Sequence, residues 1–392
     1  MEVLIFGAGK IARGFIGHML WKGGYGFHFV ESNESLVQRL NESKSYQVRI
    51  LGKEIIVDTV SGFDAFGYLD TEPILKAIAH TITTIFISVG GKNLPGVGRC
   101  IRDGLFRRMQ ECNQKPINIV LCENWLQPAT IISNSIFTDA SAEFDQYCRS
   151  HVGIAESVVM RSAIEPTTEI QKNDPLSINV QDFWHFPVDA KGLKTQLPNL
   201  PGLEYVDNFS GYLERKFYTY NAANGTVSYL GYQKGYTYMS DAAKDPEILT
   251  ILSKVYHETG FALCKKFNFD FASHMEFTKT SLQKLQDEFL VDYIERNARD
   301  PIRKLGPNDR LVGPAKLVLE YGGVPDALSM AIAAAIYYDE PSDSSAQLLK
   351  SYRQTYGIEY ILNTVCMLTP ADSILKNLIM KNCEIVRASS RL

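Results

Sequence analysis

Apolar positions along the first half of the chain alternate between two rhythms. Glu2–Phe6 (EVLIF), Phe27–Val30, Thr84–Ser88 (TIFIS) and Ile117–Cys122 (INIVLC) are nearly unbroken apolar runs of strand length. Around them, near Ile11–Lys22, Pro73–His80 and Val97–Gln110, apolar residues recur at helical spacing. Strands that are apolar on both faces and alternate with helices predict a parallel sheet covered on both sides. Tyr46–Ile50 and Glu54–Thr59, with Gly52 between them, predict an inserted hairpin.

The pattern changes after Lys191–Gly202 (KGLKTQLPNLPG), a loop-rich stretch with two prolines and two glycines. Beyond it the chain reads as helical. Asp245-Pro246 opens a long amphipathic helix running to about Phe267, and the runs 271–288, 313–321, 326–337, 343–356 and 370–383 follow. A chain of 392 residues also exceeds a single ordinary core. The expectation is an α/β protein: a Rossmann-type domain over residues 1–200 and a mainly α-helical substrate domain over 201–392.

The first strand runs straight into Gly7-Ala8-Gly9, then Ala12, then a helix. This GxGxxA turn is a dinucleotide fingerprint. Gly7 permits the tight turn, Gly9 lets the backbone approach a pyrophosphate, and Ala12 allows close helix–strand packing. The helix N-terminus, starting at Lys10 and Ile11, offers amides to the phosphates, and Arg13 adds a charge. Glu31 ends the second strand, where a carboxylate binds the ribose hydroxyls and repels a 2′-phosphate, so NAD is expected over NADP. Val89 and Gly90, after the fourth run, fall where such folds line the cofactor cleft. The bland alternative is a glycine turn with a solvated Glu31, and for Val89-Gly90 a plain turn.

Composition narrows the class. A net charge of −4 argues against nucleic-acid binding. No apolar run approaches the ~20 residues that span a bilayer. No signal peptide precedes the first strand. Seven scattered cysteines, with no CxxC and no Cys/His cluster, fit reduced thiols in a cytoplasm and no metal site.

Chemistry enters at Leu213–Gly225, LERKFYTYNAANG. On one uniform α-helix Asn221 lies roughly 140° round from Lys216, with Asn224 between them. An amine and two carboxamides on one arc suit a reaction that moves a proton while an oxygen bears developing charge. The alternative for a lone helical lysine is a solvated face.

The chain resembles the polyol-specific long-chain dehydrogenase/reductases, the mannitol dehydrogenase family. The resemblance rests on FGAGKIARGFIG at 6–17, SYQV at 45–48, VDTVSG at 57–62 and CEN at 122–124. It continues through LPNLPGLEYVDN at 197–208, ERKFYTYN at 214–221, DPIRKLGPNDRLVGPAKLVLEYG at 300–322 and AIAAA at 331–335. It implies metal-independent, NAD-linked oxidation of a polyol carbon, with Lys216 as general base and Asn221 and Asn124 as donors to the oxygen. The compact length favours the branch that interconverts mannitol 1-phosphate and fructose 6-phosphate. The rivals are another polyol or sugar acid (free mannitol, a hexuronate) and a non-catalytic NAD(H)-binding sensor.

Three positions depart from the family pattern. Asn224 stands where the family has His. Met160 precedes Arg161 where an Asp is usual. His185 replaces an acid and is a candidate stand-in for the lost imidazole, or simply a structural histidine. A sugar phosphate also calls for cations. Arg303, Lys304 and Arg310 are the candidates, although Asp300 and Asp309 beside them make structural ion pairs an equal reading. Oligomeric state is not legible from these patterns.

Overall fold

The computed structural model describes residues 2–125 and 127–389. The chain divides into two compact units, Met1–Phe209 and Ser210–Leu392.

The main sheet of the first unit has six strands: β1 (Glu2–Phe6), β2 (Phe27–Glu31), β3 (Phe63–Gly67), β4 (Ile82–Ile87), β5 (Ile117–Leu121) and β6 (Val152–Glu156). All pairings are parallel, in the order β3-β2-β1-β4-β5-β6. Val3 and Ile5 point into one core, and Leu4 and Phe6 into the other. Burial on both faces is why this strand reads as an unbroken apolar run, each buried side chain contributing about 1.5–3 kcal/mol. Strand order reverses beside β1, which opens a crevice at the carboxyl ends of β1 and β4.

Two strands of this sheet went unseen in the sequence pattern, β3 and β6. Both are edge strands, and their sequences (FDAFG and VGIAE) carry charge or glycine because one side lacks a partner.

The hairpin is present as Ser45–Leu51 paired antiparallel with Ile56–Ser61. It extends into a second sheet through Ile178–Gln181 and Ala163–Ile164. The helix after the glycine turn packs against this sheet. A Cβ at Gly14 would lie 2.8 Å from side-chain atoms of both Ile178 and Val180, so the glycine sets how closely helix and sheet approach. Lys191–Gly202 stays within the first unit and leads into strand Leu203–Val206, which pairs parallel with Phe186–Asp189.

The second unit is helical. Pro246–Phe267 starts on Asp245, whose carboxylate accepts from the amides of Glu247 and Ile248, with Pro246 at the first position. Asp326–Ile336 (DALSMAIAAAI) is apolar nearly all round and lies in the middle of the core. The run expected over 343–356 continues past Gly357 to Thr364, but Gly357 has φ +83°, ψ 175°, so the segment is two helices meeting at a kink. No helix among the described residues is long and apolar enough to cross a membrane.

Candidate active site

The nucleotide-binding features gather at the crevice of the first unit. Gly7 has φ +93°, and a Cβ there would lie 2.2 Å from the Ser88 carbonyl oxygen, so no side chain fits. Gly9 differs: a Cβ built on it meets nothing within 4 Å. The space beyond Gly9 belongs to a cleft of ≈ 590 Å³ that Gly7, Glu31, Ser32, Val89 and Arg99 also line. A tight turn, open space over the second glycine and an acid at the end of β2 are the features a dinucleotide requires.

Glu31 is joined to the turn itself. One carboxylate oxygen accepts from the Ala8 amide at 2.8 Å, and the other from the Asn33 amide at 2.9 Å and the Ser32 hydroxyl at 3.1 Å. Lys10 is exposed, 3.9 Å from Glu165, and Ile11 is half-buried in the first turn of the helix. Arg13 corrects the expectation of a phosphate contact. It is buried, and its guanidinium donates to the main-chain carbonyls of Ala8 (2.8 Å) and Leu176. Arg13 therefore braces the turn from within.

The loop after β4 has a support that sequence reading missed. A single oxygen of Glu123, Oε1, accepts from the amides of Val89 (2.6 Å) and Gly90 (2.8 Å). Burial raises the Glu123 pKa above the usual carboxylate range, against those two bonds. Val89 lines the cleft, and the N–H groups of Val89 and Gly90 are already engaged. Asn124, next to Glu123, is exposed. Only the CEN run hinted at this arrangement, and nothing in spacing tied Glu123 to a loop 33 residues earlier.

Lys216, Asn221 and Asn224 do share one helical run, but it is not uniform. Phe209–Lys216 is α-helical, Phe217–Asn221 is a π turn, and Ala222–Gln233 is α-helical again. The Ala222 amide donates to the Phe217 carbonyl, five residues back. A turn that closes one residue later than an α-turn brings residues five apart nearly into line. The arc of roughly 140° expected for a uniform α-helix is therefore narrowed between Lys216 and Asn221.

Lys216 is half-buried, and burial first, then the Arg310 charge, push its ammonium down to about 8. Its Nζ has no hydrogen-bond or ion-pair partner among the described residues, and neither does the Asn221 carboxamide. Lys284, on helix Phe271–Leu285, was not foreseen. Its pKa is also lowered to about 8, by burial first and by Lys216 second. Asn224 donates from Nδ2 to Asn297 Oδ1 at 2.8 Å.

The phosphate candidates are all engaged. Arg303 pairs with Asp300 (2.8 Å) and Asp309 (3.2 Å), and Arg310 pairs with Asp309 (3.0 Å). Lys304 is a correction: it is 4% exposed, its ammonium donates to the Asn297 carbonyl, and burial followed by Arg310 holds it down to about 7. A sealed amine of that kind supports the fold and is not presented to a ligand.

Arg161 and His185 sit in structural pairs of the first unit. Arg161 donates to the carbonyls of Gln181 (2.7 Å) and Gly14 (3.2 Å), meets His18 Nδ1 at 2.9 Å and lies 4.1 Å over the Trp184 ring. Those contacts hold it in place without the carboxylate that Met160 displaces. His185 Nε2 lies 2.5 Å from Glu204, so this imidazole is tied to a carboxylate.

Comparison with known proteins agrees with this geometry. Residues 1–202 match the mannitol dehydrogenase Rossmann domain, and residues 208–358 match the mannitol dehydrogenase C-terminal domain. A protein of Thermoanaerobacter pseudethanolicus named mannitol-1-phosphate 5-dehydrogenase is 35% identical over 388 residues, covering 98% of each chain. One of the same name from Caldanaerobacter subterraneus subsp. tengcongensis is 32% identical over 387 residues, again covering 98% of each. Among solved structures, a substrate-free D-sorbitol dehydrogenase superposes with TM-score 0.79 at 15% identity, covering 99% of this chain and 93% of the other. Pseudomonas fluorescens mannitol 2-dehydrogenase, in complex with NAD and D-mannitol, superposes with TM-score 0.68 at 13% identity, covering 100% and 94%. These two likenesses are of fold. The sequence matches over both units carry the assignment: the chain belongs to the mannitol dehydrogenase family, the NAD-dependent polyol dehydrogenases.

Proposed function

We propose that the protein interconverts mannitol 1-phosphate and fructose 6-phosphate, with NAD as cofactor, Lys216 as general base and no metal. The observation that carries the chemistry is Lys216, a half-buried amine with its pKa lowered to about 8 and no partner among the described residues. The named relatives, which match over 98% of the chain, support the choice of substrate.

NAD, when bound, would supply the hydride acceptor for the alcohol carbon. The neutral amine of Lys216 takes the hydroxyl proton, for which a pKa near 8 is well matched. The carboxamide of Asn221 donates N–H to the reacting oxygen as it gains charge, a donor role the family resemblance also assigns to Asn124. Gly7 and Gly9 receive the pyrophosphate, and Glu31 receives the ribose hydroxyls.

The substitution of Asn224 for the expected histidine favours a second reading, oxidation of a different polyol or sugar acid. Following NADH absorbance with fructose 6-phosphate, fructose, tagaturonate and fructuronate decides between them. Preference for fructose 6-phosphate supports the first reading. Equal reduction of fructose and fructose 6-phosphate removes the phosphate from it, and inertness towards every ketose leaves only an NAD(H)-binding protein.

A further inference from the structure

Asn224 is held by a chain of amides whose polarity can be followed from one end. Asp292 supplies a carboxylate oxygen that accepts. Asn297 donates to it from Nδ2, at 2.6 Å, and also from Nδ2 to the Tyr293 carbonyl oxygen, at 2.9 Å. Two acceptors on one side leave the Asn297 amide a single orientation. Its Oδ1 therefore faces Asn224, which must answer with its own NH₂ at 2.8 Å. The Asn297 main-chain carbonyl is further held by the Lys304 ammonium. At the end of the chain, the carbonyl oxygen of Asn224 has no partner among the described residues.

We propose that Asp292 and Asn297 are positioning residues that fix Asn224 as a hydrogen-bond acceptor for a substrate hydroxyl. This rests on the reading of Lys216 and Asn221 as the groups at the reacting oxygen. Asn224 is one helical turn beyond Asn221, about 4.5 Å along the axis. That spacing suits the hydroxyl on a carbon next to the reacting one. An imidazole at this position titrates and can offer either polarity, whereas Asn224, so held, presents an uncharged acceptor. Substrates lacking that hydroxyl leave Oδ1 unpaired, so the position selects for its presence.

The test uses the full chain, NADH, fructose 6-phosphate and its 1-deoxy and 3-deoxy analogues, with thermal melts as a check on folding. Wild-type turnover of fructose 6-phosphate is measured first, and its absence sinks the functional reading itself. Given turnover, Asn224→Leu is expected to raise KM at least tenfold with kcat changed less than threefold. The penalty is expected to vanish on the deoxy analogue that lacks the recognised hydroxyl. Asn297→Ala is expected to raise KM in the same direction, and to add nothing to Asn224→Leu. An unchanged KM in Asn224→Leu, or the same penalty on fructose 6-phosphate and both analogues, overturns the proposal. Additive effects of the two substitutions overturn the positioning role of Asn297.

Discussion

The main-chain amide of Ala8 donates to the carboxylate of Glu31 across 2.8 Å, joining the glycine turn to the end of β2. The acid proposed to tell NAD from NADP is thus also bonded to the turn proposed to receive the phosphates.

Substituting Glu31 therefore has two separable consequences. Glu31→Ala should raise the NADP/NAD ratio of kcat/KM about tenfold, about 1.4 kcal/mol, and also lower stability by about 1–3 kcal/mol for the lost amide bonds. Glu31→Gln should relax cofactor preference with a smaller loss of stability, because it keeps an acceptor but not the charge that repels a 2′-phosphate. Steady-state kinetics with both cofactors and urea unfolding check the pair. An unaltered preference in both variants would count against Glu31 at the ribose.

The two glycines of the turn should respond oppositely. Gly7→Ala meets both a positive φ and a carbonyl oxygen at 2.2 Å, and should cost about 3 kcal/mol or more. Gly9→Ala projects a methyl into open space and should unfold like wild type, within about 0.5 kcal/mol. Its NADH affinity should nonetheless fall at least tenfold, read by fluorescence titration. Normal NADH binding by Gly9→Ala would remove the pyrophosphate from that space.

Glu123 holds two amides on one oxygen. Glu123→Ala strands both N–H groups, at about 1–3 kcal/mol, and should weaken NADH binding by loosening the Val89-Gly90 loop. Glu123→Gln retains an oxygen at that place and should behave nearly as wild type. Equal losses in the two variants, measured by melting and NADH titration, would show that the charge matters and not the acceptor.

As the proposed general base, Lys216 should set the pH dependence. With its pKa lowered to about 8, about one molecule in ten carries the neutral amine at pH 7, against fewer than about one in a thousand for an ordinary lysine. Polyol oxidation should rise with pH and level off above about 8, while ketose reduction, which needs the ammonium, should fall there. Lys216→Ala should reduce turnover at least about a thousandfold and leave NADH affinity within about twofold. A lysine with a depressed pKa also contributes stability that is present above its unfolded value and lost as pH falls through about 8. Lys216→Met should therefore melt higher than wild type at pH 7. A pH profile that is flat between 7 and 9, in both directions, would take Lys216 out of the proton step.

The sequence determined what depends on local pattern. Unbroken apolar runs such as Glu2–Phe6 mark strands buried on both faces, and Gly7 marks the turn that follows because its backbone there admits no side chain, with Gly9 and Glu31 completing the expected dinucleotide fingerprint. The Lys216/Asn221 pair was visible for the same reason, its two residues lying on one helical run. The tertiary structure decided what depends on partners distant in the chain. Arg13 and Lys304 read as candidate phosphate contacts by sequence but are buried against carbonyls. Glu123 reaches back to Val89, Asn297 pins Asn224, Arg310 lowers the pKa of Lys216, and Lys216 that of Lys284. The π turn at Phe217–Asn221 also belongs to this class, since FYTYN carries no residue that demands it. Hydrogen-bond polarity, desolvation and charge coupling act between atoms that folding brings together, and no spacing along the chain encodes them.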